Sequence, residues 1–195
     1  MSLRKILCSP IKNIMLTGIL FMSLAGMQTV NAGVHTKIND HELIQPKSIT
    51  VDQSLDKTSA NQMIRAARLF YTFWNTGNPV YADAVMSPAF RDNTLPEGRP
   101  QGPEGIKFAS ANFRKAVPDL TCSVEDLLIV GDKVTARLAF HGTFKGKFMG
   151  HQPTNKPVAF FAIDILHIKN GQLVEDWHLE DNLSLMKQLD AVKVE

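Results

Sequence analysis

The feature that most constrains the fold of this chain is an Asn-Gly dipeptide at positions 170 and 171, between two apolar-rich runs. The first run is Val158 to Ile168, and the second is Gln172 to Glu180. Asn-Gly readily adopts the positive φ angles of a tight type I′ turn, so this pattern is the strongest short-range signal for a β-hairpin. The sequence therefore predicts two long antiparallel strands joined by a two-residue loop.

A two-residue loop also predicts which side chains of the hairpin share a face. Pairing outward from Lys169 and Gln172 sets Asp164 opposite Trp177, and opposed residues point to the same side of a sheet. The predicted inner face then carries Asp164, Glu175 and Asp181 among Phe160, Leu166, Trp177 and Leu179. A carboxylate in an apolar wall has a raised pKa, as a general acid or base requires. An ordinary solvated face is one alternative, and a one-residue bulge that puts Ile163 beside Trp177 is another.

The first 32 of the 195 residues have the pattern of a secretory signal peptide. A basic segment precedes an apolar run from Ile14 to Ala25, and Val30-Asn31-Ala32 resembles a small-residue cleavage site. We expect cleavage after Ala32, a periplasmic or secreted location, and no stable membrane anchor after cleavage. An uncleaved anchor is the weaker interpretation, because the apolar run is shorter than the roughly 20 residues that a spanning helix needs.

The charge and cysteine content of the predicted mature chain argue against a nucleic-acid partner and against an intramolecular disulfide. The whole chain has a formal net charge of +2, but the predicted signal removes three of the 21 Lys and Arg residues and none of the 19 Asp and Glu residues. The mature chain then has 18 basic against 19 acidic residues, without the basic footprint of a nucleic-acid-binding protein. Since Cys8 leaves with the signal, Cys122 is predicted to be a buried strand residue with no disulfide partner.

Hydrophobic periodicity divides the rest of the chain into helices and then strands. Residues 33–58 show neither the helical period of 3.6 residues nor the strand period of two, so we predict a mobile leader there. The predicted elements are a helix from Ser59 or Asn61 to Gly77, helices over Val80–Met86 and Gly102–Val117, strands over Thr121–Ile129 and Lys133–Phe144, the hairpin, and a final turn over Leu183–Leu189. Helices followed by antiparallel strands predict one α+β domain over residues 59–195, with the helices covering one face of a curved sheet.

An enclosed, largely apolar cavity between the helices and the sheet is the default ligand site of such a domain. Phe70, Trp74 and Phe113 lie on the helical apolar faces and are candidates for its wall, although an aromatic stripe of this kind also suits a plain core. No two histidines have the spacing of a ligand pair, so no metal site is expected.

Four segments in this order resemble the SnoaL-like polyketide cyclases, in the nuclear transport factor 2-like superfamily of cone-shaped α+β folds. They are FWNTGN at 73–78, GPEGIKFASANFRKAVPDL at 102–120, HGTFKGKFMGHQPTNKPV at 141–158, and the hairpin. The resemblance covers about Asn61 to Leu189. It implies an intramolecular aldol condensation without metal or organic cofactor, in which an acidic residue on the sheet acts as general acid and base. It also implies a homodimer, and the outward row of Phe161, Ile163 and Ile165 suits that interface.

The resemblance makes Asp181 the first candidate for the acid/base, with Asp164 as its coupled neighbour. A helix N-cap is the other interpretation of Asp181. Trp177 and Glu175 would contact the substrate beside Phe160, Phe70, Trp74 and Phe113, whereas the opposite parity of His178 predicts an outward or dimer-face position. The family motif often reads Glu-His-Trp-Gly where this chain has EDWH at 175–178.

Two functions therefore remain open from the sequence. The first is a cofactor-independent cyclase or isomerase acting on a small apolar carbonyl compound. The second is a non-catalytic small-molecule binding module with the same cavity, because one fold hosts many functions.

Overall fold

The computed structural model describes residues 38–192, so the predicted signal peptide and residues 33–37 lie outside the described residues. The elements are a 3-10 turn (Asp40–Glu42), β1 (Ile49–Val51), α1 (Lys57–Thr76), α2 (Pro79–Val85), β2 (Met86–Asp92), α3 (Pro103–Ala116), β3 (Thr121–Val130), β4 (Lys133–Thr143), β5 (Pro157–Lys169), β6 (Gln172–Glu180) and α4 (Asn182–Gln188). Among residues 38–192, no helix combines the length and apolar character needed to cross a membrane.

Local sequence signals explain where the helices begin and end. The Asp56 side chain accepts hydrogen bonds from the backbone N–H groups of Thr58 and Ser59, which starts α1 slightly earlier than predicted. The same helix ends at Gly77, whose φ of 73° is the left-handed conformation that glycine adopts without strain. Proline stands in the first turn of both α2 and α3, where its missing N–H costs nothing.

The strands form one six-stranded sheet in the order β1-β3-β4-β5-β6-β2. The four central strands are antiparallel, whereas β1 and β2 pair in parallel with β3 and β6 at the two edges. The predicted α+β architecture, with N-terminal helices and a curved sheet, is confirmed. The two hairpin strands, β5 and β6, lie inside the sheet between β4 and β2.

Part of the predicted mobile leader belongs to this sheet. Ile49 pairs with Leu127, and the N–H of Lys47 donates to the Val124 carbonyl at 2.9 Å. Leu43 is buried in the core. The prediction of a structureless leader is therefore wrong for this segment, because a three-residue edge strand is too short to show a period in the sequence.

The hairpin turn forms as predicted, but the register beyond it does not. Asn170 and Gly171 have φ angles of 51° and 74°, and Lys169 pairs with Gln172. Leu173 pairs with Ile168 and Glu175 with His167, which leaves one extra residue on β6 at position 174. This β-bulge shifts every later pair by one residue.

Successive residues of a strand point to opposite faces of the sheet. The bulge therefore moves each later side chain of β6 to the face opposite the predicted one. Asp164 lies opposite His178, and Trp177 lies opposite Ile165. The predicted pairing of Asp164 with Trp177 is therefore wrong. The structure has the bulge that the sequence offered as an alternative, but this bulge places Trp177 beside Ile165 and not beside Ile163.

Candidate active site

The curved sheet and the helices enclose a cavity of about 640 Å³. Aromatic rings form much of its wall: Phe140 and Phe160 stack with ring centroids 5.0 Å apart, and Phe113 meets Phe160 edge-on at 5.8 Å. Trp74 meets Phe140 edge-on at 6.3 Å. A cavity of this size and character suits a small-to-medium organic molecule with a flat apolar part.

Three of the five aromatic residues predicted for the site line this cavity, whereas Phe70 and Trp177 do not. The three that do are Trp74, Phe113 and Phe160. Phe70 does not line it: its side chain is fully buried, and its ring packs edge-on against Trp74 at a centroid distance of 6.4 Å. Phe70 thus supports the wall from behind.

One end of the cavity is polar. The inner face of the hairpin contributes Asp164, Asp176, His178 and Glu180, and the loop between β2 and α3 contributes Arg99. The two aspartates are among the few buried charged residues of the described chain. Four ionisable groups of β5 and β6 thus line one part of a largely apolar chamber.

His178 is held by a carboxylate at each ring nitrogen. Its Nδ1 lies 2.8 Å from Glu180 Oε1, and its Nε2 lies 3.2 Å from Asp92 Oδ2. Burial opposes the charged imidazolium, but the hydrogen bond and charge of Glu180, with Asp176 and Asp164 nearby, raise the pKa of His178 overall. The protonated ring can donate to both carboxylates.

Arg99 offers His178 a second set of contacts. Its Nη2 lies 3.2 Å from His178 Nε2 and is hydrogen-bonded to the Asp92 carboxylate. An unprotonated Nε2 would accept from Arg99, while the Nδ1 proton still goes to Glu180. Both protonation states of the imidazole therefore have partners at this site.

The two buried aspartates have raised pKa values. Burial raises the pKa of Asp164 to about 7, with the charge of His178 opposing the shift and that of Glu180 adding to it. Burial also raises the pKa of Asp176 well above its usual value, and Asp164 adds to that increase. Two close carboxyl groups in an apolar environment cannot both ionise cheaply, so one proton stays with the pair near neutral pH.

The hydroxyl of Tyr71 lies behind this pair in the core. Tyr71 is fully buried, and its hydroxyl has no hydrogen-bond partner of ordinary geometry among the described residues. It is nevertheless close enough to Asp164 to lower the pKa of that carboxyl against the larger effect of burial. Asp164 forms no salt bridge with a lysine or arginine in the described part of the chain.

The structure places three predicted site residues away from the cavity. Asp181 caps α4, with Oδ1 accepting from the Ser184 N–H at 3.0 Å. The Ser184 side chain first, and this backbone hydrogen bond second, lower the pKa of Asp181. Glu175 pairs with His167 at 2.7 Å on the other face of β6. Trp177 lies on that same face, with the Lys133 ammonium 5.6 Å from the centre of its ring. The prediction that these residues share a face with Asp164 is wrong, because the bulge reversed the parity of β6.

The same reversal corrects the prediction for His178, which lines the cavity instead of facing outward. Sequence reasoning also missed Asp176, Asp92 and Arg99. Asp176 could have been found by following the bulge alternative through the strand. Asp92 and Arg99 lie 86 and 79 residues from His178 in the chain, and no local pattern connects them.

Among residues 38–192, no group of three or more His, Cys, Asp or Glu side chains is arranged to hold a metal ion.

The outer face of the sheet exposes Phe161, Ile165 and Leu179. A homodimer through this face stays a prediction.

A curved mixed sheet with N-terminal helices, enclosing an apolar chamber that ends in ionisable groups, defines a nuclear transport factor 2-like domain with a small-molecule site. Residues 64–189 match the family model described as SnoaL-like polyketide cyclase. The chain belongs to the SnoaL-like polyketide cyclase family, as the resemblance of its motifs implied.

Solved structures of related proteins have the same fold. A Bacillus cereus ATCC 10987 protein assigned to the polyketide cyclases is 51% identical, with a TM-score of 0.72, over 78% of this chain and 96% of that one. TsrD from Streptomyces laurentii is 29% identical, with a TM-score of 0.61, over 71% of this chain and 100% of that one. Wild-type IdmH from Streptomyces antibioticus is 26% identical, with a TM-score of 0.60, over 66% and 99%. No curated protein matches the chain significantly.

Proposed function

We propose that this protein is an enzyme that performs general acid/base catalysis on a small, largely apolar carbonyl compound, with ring closure by intramolecular aldol condensation as its reaction class. One observation carries the proposal. Asp164 is a buried carboxyl group at the polar end of an apolar cavity, and its pKa is raised to about 7. General acid/base catalysis is most efficient when the catalytic pKa lies near the working pH.

The setting of Asp164 also favours a catalytic over a structural role. A structural carboxylate in a protein interior is normally paired with a cation or held by several hydrogen bonds, since burying an unpaired charge is costly. Among residues 38–192, Asp164 pairs with no lysine or arginine, and the positive charge that acts on it, that of His178, is itself held by Glu180 and Asp92. The family implies cyclase chemistry, and this carboxyl group supplies what that chemistry needs.

In the proposed reaction Asp164 acts first as a base. Its carboxylate removes a proton from the carbon next to a substrate carbonyl, and the C–H electron pair forms an enolate. The enolate carbon attacks a second carbonyl carbon of the same molecule, which forms the new C–C bond and moves the carbonyl electrons to oxygen. That alkoxide takes the proton back from Asp164, so that the carboxylate is restored.

Two neighbours of Asp164 have supporting roles in this scheme. Burial and the charge of Asp164 raise the pKa of Asp176 well above its usual value. In this scheme Asp176 carries the proton of the pair and donates a hydrogen bond to an oxygen that gains charge. The charge of His178 keeps the pKa of Asp164 from rising further. The cavity wall of Phe140, Phe160 and Trp74 folds an apolar chain so that its reacting carbons meet.

The experiment begins with a thermal-shift screen of the purified protein against carbonyl-containing polyketide, steroid and lipid fragments. Compounds that raise the melting temperature are then incubated with enzyme and analysed by mass spectrometry and NMR. We expect Asp164→Asn to lower kcat about a hundredfold to ten-thousandfold. The dissociation constant should stay within a few-fold, because the amide keeps the shape of the carboxyl group.

Asp126→Asn is the matched control, since Asp126 pairs with Arg137 on an exposed part of the sheet, outside the cavity. Its turnover should equal that of the wild type. Equal turnover by Asp164→Asn and wild type would refute the catalytic assignment. Tight binding of screened carbonyl compounds without conversion of any of them would favour the binding-module alternative.

A further inference from the structure

Among the described residues that line the cavity, Arg99 is the one with a permanent positive charge, and at least three of its five N–H donors have no hydrogen-bond partner. Its Nη2 donates to the Asp92 carboxylate and lies 3.2 Å from His178 Nε2. The Nε atom is buried without a hydrogen-bond partner, and Nη1 has no protein partner in the described chain. The side chain is only 11% exposed.

This pattern differs from that of a purely structural ion pair. Arginine and carboxylate groups that serve stability usually meet through two parallel N–H···O bonds, which use the whole guanidinium fork. Here a single nitrogen, Nη2, serves both Asp92 and His178. Nε is closed off from any ligand, whereas Nη1 is not among the fully buried unpaired atoms and has no protein partner among the described residues. A polar group in a largely buried position is normally hydrogen-bonded, so Nη1 is the part of the guanidinium group that a ligand can satisfy.

Asp92 fixes the position of this guanidinium group. Its side chain is only 1% exposed, and Oδ1 accepts from the Thr94 N–H at 2.9 Å and from the Thr94 hydroxyl at 3.3 Å. The Gln101 side chain brackets the Asp92 backbone, with its Oε1 accepting from the Asp92 N–H at 2.7 Å and its Nε2 donating to the Asp92 carbonyl at 2.8 Å. Arg99 is thus held on a preorganised support, as an electrostatic catalyst requires.

The position of Arg99 relative to Asp164 completes the geometry. His178 is the cross-strand neighbour of Asp164, and directly opposed side chains have Cβ atoms about 5 Å apart. Arg99 contacts His178 from the loop side. Arg99 and Asp164 are therefore both neighbours of His178, and both line the cavity, so one substrate molecule can contact the two groups.

We propose that Arg99 is the electrophilic residue of the site: the N–H groups of its Nη1 bind the substrate carbonyl oxygen and stabilise the enolate oxyanion that forms when Asp164 removes a proton. This inference rests on the proposed function. Asp92 acts as a positioning residue. The ligand class that the site prefers follows from this chemistry: a flat, apolar molecule with an enolate or phenolate oxygen at one end.

The test uses 4-nitrophenol, because its phenolate resembles an enolate and absorbs visible light only when ionised. The pH titration of the bound probe gives its apparent pKa, and a competition series with the neutral 4-nitrotoluene gives the affinity of the apolar cavity alone. In the wild type we expect the bound probe to ionise at lower pH than the free probe. Arg99→Met should weaken binding of the phenolate tenfold or more and leave 4-nitrotoluene binding within twofold.

Two further variants make the result specific to the guanidinium group. Arg99→Lys keeps the charge but not the planar fork, so it should recover part of the phenolate preference. Arg91→Met is the matched control, because Arg91 is exposed on β2 and does not line the cavity; it should bind both probes like the wild type.

The inference is overturned by a wild type with no preference for the phenolate, or by an Arg99→Met protein that binds the phenolate as tightly as the wild type. It is also overturned if Arg99→Met weakens both probes equally, since that result indicates a structural role. None of these outcomes depends on turnover by Asp164, so failure of this inference and failure of the proposed function are separate results.

Discussion

The hairpin carries two histidines in nearly the same local arrangement, one on each face. His178 and His167 both have side chains that are 9% exposed, and each lies between two carboxylates. For His167 these are Glu175 at 2.7 Å from Nδ1 and Asp132 at 2.8 Å from Nε2. Judged by the histidine and its two hydrogen bonds alone, either cluster could be called an active site.

The surroundings of the two clusters differ. The His167 cluster lies near the hairpin turn, and its Asp132 side chain is 57% exposed, so water screens the charges. The His178 cluster includes Asp92, which is 1% exposed, and it opens into an apolar cavity beside Asp164. The comparison teaches that enclosure, and not the residue types, separates a reactive set of groups from a bridge between strands.

The largest expected effect is on turnover, and it compares the loss of His178 with the loss of His167. His178→Gln removes the charge that opposes the rise in the pKa of Asp164, so less of the base is ionised at neutral pH. We expect kcat at pH 7 to fall tenfold or more, with partial recovery at higher pH as Asp164 ionises. The matched change His167→Gln should leave kcat within twofold, while the free energy of unfolding falls by about 1 kcal/mol from the altered hydrogen bonds. Loss of activity in both variants would abolish the distinction between the two faces.

A second prediction concerns stability against pH. The folded pKa of Asp164 is about 7, against an ordinary value of 3.8, so between these values the folded chain holds a proton that the unfolded chain has released. Stability therefore falls as pH rises through this window, by at most about 1.4 kcal/mol per pH unit for this group. Asp164→Asn should flatten that slope and raise stability at pH 8. Urea unfolding from pH 4 to pH 8 measures the effect.

The control for this titration is Asp126→Asn, whose unfolding curves should keep the wild-type slope. Asp176 and His178 also have raised pKa values, and their contributions decline in the same direction, so some slope should remain in Asp164→Asn. An unchanged slope in Asp164→Asn would mean that this carboxyl group is not perturbed by burial.

The smallest expected effect concerns Asp181, the carboxylate that the sequence favoured for catalysis. Asn caps helices about as well as Asp, so Asp181→Asn should change neither kcat nor the melting temperature measurably. Asp181→Ala removes the acceptor for the Ser184 N–H and should lower the melting temperature by roughly a few °C without changing kcat. A loss of turnover in Asp181→Asn would restore Asp181 as a candidate for the acid/base.

The sequence by itself determined the architecture. The Asn170-Gly171 turn, the left-handed Gly77 after α1 and the proline that opens α3 act over a few residues, and each forms where the local pattern indicates. The order of helices and strands and the family motifs follow from such local signals. The candidates Asp164, Phe160, Trp74 and Phe113 could be named because β5 and the helices keep a regular period.

Only the tertiary structure decided which face of β6 meets the cavity. The extra residue at position 174 lies in β6, which pairs with β5 on one side and with β2 on the other. Because successive side chains of a strand point to opposite faces, that single residue reverses the facing of every later residue of β6. Trp177 and Glu175 therefore lie on the outer face instead of the predicted inner face. His178 and Asp176 lie on the inner face, where they line the cavity. The contacts of His178 with Asp92 and Arg99 join parts of the chain about 80 residues apart, and pairing over that distance is decided by packing, not by any local preference.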